Sequence, residues 1–323
     1  MVRLLNRSFT GAFTRMSHTI QLPLETYFLT QQSAALDCIV CGHENCLAAE
    51  RCHGCSAPLA LARQATKLRA KTHFIAVLGA SGVGKTIYLG MLMDMLIRRV
   101  GALRATFRGP HSISLQQTTT TALASGWYPD RTSRNPEDWD WVQFQMYCGR
   151  KKQAFELVLP DISGEALAEE VDHEGRYPAI RGLLARCSGV VVLADAERLQ
   201  AGDHADDFVT LKLMTLLSEL TPRATSRIGR LKRRREKRPL ALVLTKADTC
   251  QTCADNPTAF AENHATSLLH DCQSRFPNTR VFAGSVAGAS VWHDVGGRRR
   301  QAPLRIEPHG VVEPFGWLLT QLS

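Results

Sequence analysis

The chain has 323 residues, 44% of them hydrophobic and 21% charged, with ten cysteines and a formal net charge of +9. Such a chain buries one good-sized core plus a small appendage, as a soluble globular protein does. No apolar run approaches a membrane span and the first 30 residues lack the compact apolar core of a secretory signal, so the expected location is cytoplasmic. In a reducing compartment thiols stay free, so the cysteines point to metal binding rather than to disulfides.

In chain order, residues 1–35 carry Arg3, Arg7 and Arg15 with no acidic residue before Glu25. They read as a poorly ordered or docking arm, a frayed leader, or sequence upstream of a start at Met16. Residues 36–60 hold Cys38-x2-Cys41 and Cys52-x2-Cys55, two knuckles of the kind that place four thiolates tetrahedrally around zinc. Gly42 and Gly54 sit where tight turns are needed. Cys46, His43 and His53 are substitutes for one ligand, but the symmetrical pair needs none of them. Four thiolates leave no open coordination position, so this zinc ribbon is expected to be structural. A basic, helix-compatible stretch, Leu61 to Lys71, leads into the main domain, residues 70–323.

There, short apolar runs alternate with amphipathic stretches, which predicts an α/β fold with a mostly parallel sheet between helical layers. The predicted strands are Phe74–Leu78, Trp141–Cys148, Ala154–Leu159, Gly189–Ala194, Leu240–Thr245 and Arg280–Ala283. The predicted helices are Thr86–Val100, Tyr177–Cys187, Phe208–Leu220, Pro257–Phe276 and Pro314–Leu322. The second and third strands are separated by GRKKQ alone, which predicts one antiparallel edge strand.

The strand Phe74–Leu78 feeds Gly79, Ala80, Ser81, Gly82, Val83, Gly84, Lys85 and Thr86, and a helix follows. This is the pattern of a phosphate-binding P-loop. Its glycines let backbone N–H groups point inward at the positive end of the helix dipole. Lys85 can reach the β and γ phosphates, and the Thr86 hydroxyl can ligate Mg²⁺. The strand Ala154–Leu159 then delivers Asp161, which can hold Mg²⁺ through water, and Gly164, whose N–H can approach a γ-phosphate. Further on, Leu240–Thr245 brings Thr245, Lys246 and Asp248 to the same sheet end, where ligands bind in such folds. A carboxylate there accepts both the N1–H and the exocyclic amine of guanine, a donor pair adenine lacks. Ser285 heads a final loop whose backbone can meet the base carbonyl.

In order and spacing these motifs resemble those of Ras-like regulatory GTPases over residues 74–323. The resemblance implies that Lys85 and Thr86 act on phosphates and magnesium, Asp161 on magnesium, and Thr245, Lys246 and Asp248 on guanine. Thr245 replaces the usual asparagine, and Glu165 stands where many such enzymes carry a water-orienting glutamine, so intrinsic turnover is expected to be slow unless an arginine offsets the added charge. For the switch threonine the candidates are Thr118 to Thr121 and Thr132. Thr132 is preferred, because GWYPDRT places it in a Pro-containing loop shortly before the strand; the segment also resembles a Trp-Pro then Thr pattern of the "double-GTPase" proteins of bacterial conflict and defence gene clusters.

Three features remain. Arg227–Arg238 and Arg298–Arg300 supply much of the positive charge and suit a solvated loop, nucleic acid or another polyanionic partner. Cys250-x2-Cys253, with His264 and Cys272, is a weaker candidate for a second zinc site. The leading functional expectation is a GTP/GDP-binding, Mg²⁺-dependent hydrolase acting as a switch on a protein effector. The alternatives are a weakly hydrolysing adaptor that engages nucleic acid or protein through its ribbon and basic clusters, and a P-loop kinase or ATPase, against which the TKAD strand argues.

Overall fold

The structure, a computed structural model, describes residues 35–68, 71–99, 103, 105–148, 153–220 and 237–322. The N-terminal arm and most of the basic run Arg227–Arg238 lie outside the described residues.

A seven-stranded sheet has the order β4-β5-β6-β3-β7-β8-β9. Its strands are β3 (Thr72–Leu78), β4 (Ala105–Arg108), β5 (Trp141–Cys148), β6 (Gln153–Pro160), β7 (Cys187–Asp195), β8 (Leu240–Thr245) and β9 (Thr279–Ala283). β6, β3, β7, β8 and β9 are mutually parallel, while β5 is antiparallel to both β4 and β6. The expected reversed strand is therefore β5, and β4 closes the edge beyond it. Every residue of β8 is buried, as the apolar run of a central parallel strand requires.

Alternation along β3 feeds two cores. Phe74, Ala76 and Leu78 face one, and Ile75 and Val77 the other. The second is covered by α2 (Lys85–Ile97), α3 (Pro110–Ala124) and α11 (Val312–Leu322). The first is covered by α4 (Gly164–Asp172), α5 (Pro178–Arg186), α7 (Ala205–Leu220) and α10 (Thr266–Arg275), with the short α6 (Ala196–Gln200) and α8 (Gln251–Asp255) between them. The expected helix Pro257–Phe276 is two, α9 (Pro257–His264) and α10, because the backbone of Ala265 leaves helical range at φ −134°. No helix breaker stands there; Ala265 is 1% exposed, so tertiary packing overrides propensity.

At the N-terminus β1 (Ala35–Asp37) pairs antiparallel with β2 (Glu44–Cys46), and α1 (Ala60–Leu68) follows. This unit is packed into the main core: Val40, Ala57 and Leu59 share a cluster with Trp139, Ile180 and Leu183. Arg186 donates to the Ile39 carbonyl at 2.8 Å, and Arg51 donates to the Glu137 carbonyl at 2.6 Å. A Cβ on Gly182 would lie 2.5 Å from the Val40 carbonyl oxygen, so α5 needs that glycine to let the two backbones meet.

A second antiparallel pair, β10 (Ser285–Val295) and β11 (Arg298–His309), forms a long ribbon between β9 and α11. Its turn is Gly296-Gly297, with φ of +61° and +78°, the left-handed values a tight hairpin demands. Arg299 and Arg300 therefore stand on a strand of this ribbon. At the other basic run, Arg238 donates to the carbonyls of Leu184 and Leu217 at 2.6 and 3.0 Å, so its guanidinium ties α5 to α7.

Candidate functional site

The carboxyl ends of β3, β6, β7 and β8 converge on a cavity of about 510 Å³, within the range that holds a nucleotide-sized ligand. Ser81, Gly82, Val83, Gly84, Lys85 and Thr86 line its floor. Gly82 and Gly84 have φ of +85° and +94°, which turn the loop into the N-terminus of α2. The Lys85 ammonium donates to the carbonyls of Gly79 and Ala80 at 3.0 and 2.8 Å. Its burial pushes the amine down to about 8, against a partial offset from the Asp161 carboxylate.

Beside the loop, three oxygens meet. The Thr86 and Thr132 hydroxyls are 2.8 Å apart, and each donates to Asp161 Oδ2 at 2.9 Å. Asp161 Oδ1 is buried and has no hydrogen-bond partner among the described residues. Burial raises the Asp161 carboxyl, and the two hydroxyls pull it back down. Two hydroxyls on one oxygen of a buried carboxylate, with its other oxygen unpartnered among the described residues, are hard oxygen donors of the kind Mg²⁺ takes, so the residues present fit that ion. Gly164 adjoins the same point: a Cβ there would lie 2.5 Å from the Ser81 backbone nitrogen.

Thr118 to Thr121 do not reach this site; they lie on α3, with Thr119 buried against Gly90 of α2. Threonine runs are poor helix formers, so this helix is held by packing rather than by propensity.

Glu165, on the first turn of α4, lines the cavity and faces Arg134 at 2.9 Å and Arg131 at 3.6 Å. Arg134 also holds Glu169 at 2.8 Å, and Tyr177 donates to Glu169 at 2.7 Å.

At the other end of the cavity stand Thr245, Lys246, Asp248 and Ser285. Lys246 turns the chain with φ +56°, and its ammonium contacts the buried Asp195 at 2.5 Å. The Thr245 hydroxyl donates to the Ala194 carbonyl at 3.1 Å, bracing β8 to β7. Burial raises the Asp248 carboxyl, with the neighbouring Glu197 adding to the shift.

A family model for Double-GTPase 2 matches residues 73–296, more than half of the chain. The chain belongs to the Double-GTPase 2 family. No curated protein matches it. The domain is thereby a GTP-binding NTPase domain.

The second site of this Double-GTPase 2 protein is the N-terminal zinc-ribbon cluster. The thiols of Cys38, Cys41, Cys52 and Cys55 lie within 4.8 Å of one another. Sγ of Cys38 and Cys55 are 3.7 Å apart, and those of Cys41 and Cys52 are 3.5 Å apart. Tetrahedral zinc with Zn–S bonds of about 2.3 Å sets such edges at about 3.8 Å. The hydrogen bond with Cys55 holds the Cys38 thiol well below its usual range, which favours a thiolate there. Backbone N–H groups of His43 and Gly54 donate to the sulfurs of Cys41 and Cys52 at 3.4 and 3.3 Å. The first knuckle turns at Gly42, with φ +81°, as expected; in the second the left-handed residue is Ser56, with φ +61°. Gly54 is needed for space instead, since a Cβ there would lie 2.9 Å from the His43 side chain. His43, His53 and Cys46 stand outside the cluster. Among the described residues Cys250, Cys253, Cys272 and His264 form no second one: the three thiols are buried in the apolar core, and His264 stacks on Phe260 with ring centroids 4.5 Å apart.

Sequence reasoning missed the hairpin's part in the pocket. Ser290, Trp292, Arg300 and Gln301 line the cavity from β10 and β11. They are tied to the loop before Thr132: Tyr128 meets the Ser290 hydroxyl at 2.5 Å, Arg300 pairs with Asp130 at 3.2 Å, and Arg300 lies 5.3 Å from the Trp127 ring centre. The Gly-Gly dipeptide between two strand-like runs was the available signal. Asp195 and Arg131 were missed as well, because a lone acid at a strand end and an arginine in a polar loop carry no pattern of their own.

Proposed function

We propose that residues 70–323 hydrolyse GTP to GDP and phosphate in the presence of Mg²⁺ and act as a molecular switch, with residues 36–60 as a structural zinc ribbon. The single observation that carries this reading is the meeting of Thr86, Thr132 and Asp161, with Asp161 Oδ1 unpartnered among the described residues. A P-loop hydroxyl, a loop hydroxyl and a strand-end carboxylate gather there from three separate elements. Mg²⁺, when bound, neutralises charge on the β and γ phosphate oxygens.

The chain's own groups do the rest. P-loop N–H groups and Lys85 bind the phosphate chain, and the Gly164 N–H faces the γ-phosphate. Glu165 orients the attacking water, with Arg134 offsetting its charge. Asp248 accepts the guanine donors, Lys246 lays its stem along the base plane, and Ser285 sits beside the base carbonyl. Loss of the γ-phosphate frees the Thr132 and Gly164 loops, and a protein effector reads that change. The resemblance to conflict-system proteins supports a setting in bacterial defence, which the neighbouring genes test.

Single-turnover assays with γ-labelled GTP and Mg²⁺ test the reading. Phosphate release by the full chain, lost on chelation and in Thr132→Ala, is the expected result. Tight GTP binding with no cleavage, alone or with candidate partners, would replace the hydrolase by the adaptor reading. ATP competing as well as GTP would overturn the guanine assignment.

A further inference from the structure

Glu165 poses an electrostatic problem: its carboxylate lines the cavity where a γ-phosphate is to be cleaved, and like charges repel. The chain brings two arginines to it, and they are held differently. Arg134 is engaged on both sides, 2.9 Å from Glu165 and 2.8 Å from Glu169. Among the described residues Arg131 pairs only with Glu165, at a loose 3.6 Å; its side chain is 80% exposed, and it lines the cavity. It is also the chain neighbour of Thr132, whose hydroxyl is fixed 2.9 Å from Asp161. Fixing Thr132 holds the Arg131 Cα about 3.8 Å away along the chain, and the Arg131 side chain lines the same cavity as the P-loop residues Ser81 to Thr86. The other arginine lining the cavity among the described residues, Arg300, has its charge committed to Asp130 and the Trp127 ring.

We propose that Arg131 is a catalytic arginine supplied by the chain itself, parked on Glu165 and moving to the γ-phosphate as the reaction proceeds. The inference rests on the hydrolase reading above. In the step, the water oxygen bonds to the γ-phosphorus and the bond from that phosphorus to the β–γ bridging oxygen breaks. The electron pair passes to the β-phosphate of GDP, and the water proton leaves with the released phosphate. Arg131 donates to the oxygens on which charge builds up, and its fork geometry suits two of them at once. Its departure from Glu165 leaves that carboxylate on Arg134, available to accept the water's hydrogen bond.

The test compares the full-length chain with Arg131→Ala and Arg131→Lys in three readouts: GDP affinity, single-turnover GTP cleavage, and capture of GDP with aluminium fluoride, a mimic of the transferring phosphoryl group. Arg131→Ala is expected to bind GDP within about threefold of the parent, to cleave GTP at least about 100-fold more slowly, and to lose aluminium fluoride capture. Arg131→Lys is expected to recover less than about tenfold of the rate, because a point charge cannot bridge two oxygens. Cleavage by Arg131→Ala within about threefold of the parent, or undiminished capture, overturns the proposal. A parent chain that binds GDP but neither cleaves GTP nor captures the fluoride also overturns it, together with the hydrolase reading. A parent chain that fails to bind GDP at all overturns the nucleotide reading first.

Discussion

The two ligand sites of this Double-GTPase 2 protein are built in opposite ways. The cysteine cluster comes from one short stretch, Cys38 to Cys55, with its four donors already within 4.8 Å of one another. The proposed nucleotide cavity is assembled from distant positions, since Thr86, Thr132, Asp161, Asp248 and Ser285 arrive on separate elements. A local site is fixed by its own knuckle turns; a distributed one is fixed only by the sheet that aligns its strand ends. Yet the local site does not stand alone. Its two strands are three residues each, too short to be stable in isolation, and they borrow the core around α5. Arg51 also ties the ribbon to the 3₁₀ turn Pro136–Asp138, a few residues beyond Thr132, so the ribbon braces the loop that carries the Thr132 hydroxyl.

The contrast can be broken from either side. The largest effect is expected at the nucleotide site: Lys85→Ala should weaken labelled-GTP binding by more than about 100-fold while leaving the melting midpoint nearly unchanged, because only the distributed site is lost. Zinc chelation, or Cys52→Ser, is expected to lower the melting midpoint by roughly 5–10 °C, with a smaller loss of GTP affinity. A midpoint unmoved by chelation would mean that the thiols hold no structural metal. Asp248→Asn should turn preference from guanine toward xanthine nucleotide by about tenfold or more, since an amide donates where the carboxylate accepted. Unchanged selectivity would place base reading elsewhere.

Two finer tests follow. In the free chain Lys85 is depressed to about 8 by burial, whereas bound phosphates would raise it. Below pH 8 the amine is already charged; above it, binding must take up a proton, and GTP affinity should fall by up to about tenfold per pH unit. A flat affinity between pH 7 and 9, read by titration calorimetry in two buffers, would contradict this. Arg51→Ala is expected to cost about 1 kcal/mol and to lower the melting midpoint by about 2–4 °C. An accompanying small rise in the GTP dissociation rate would tie the ribbon to the switch loop.

Much of this was legible because some patterns force a geometry. The all-buried β8 and the P-loop between β3 and α2 could be read from apolar runs and glycines. The order of motifs then placed Asp161 and Asp248 at one sheet end. The α3 helix was not legible: its Thr118 to Thr121 run disfavours helix, and the face that holds it belongs to α2. Nor were the β10–β11 wall and the arginines on Glu165, since long-range contacts such as Tyr128 to Ser290 leave no local periodicity. The ribbon's spacing was plain, but its burial against α5 depends on Gly182 and Arg186, which lie far along the chain.

The most direct test is a crystal structure of the full chain with Mg²⁺ and a non-hydrolysable GTP analogue. The account predicts the triphosphate in the Gly79–Thr86 loop, the metal at the Thr86 and Thr132 hydroxyls beside Asp161, and the guanine edge on the Asp248 carboxylate. A nucleotide whose base lies away from Asp248, or a metal with Thr132 turned out of the cavity, would contradict it.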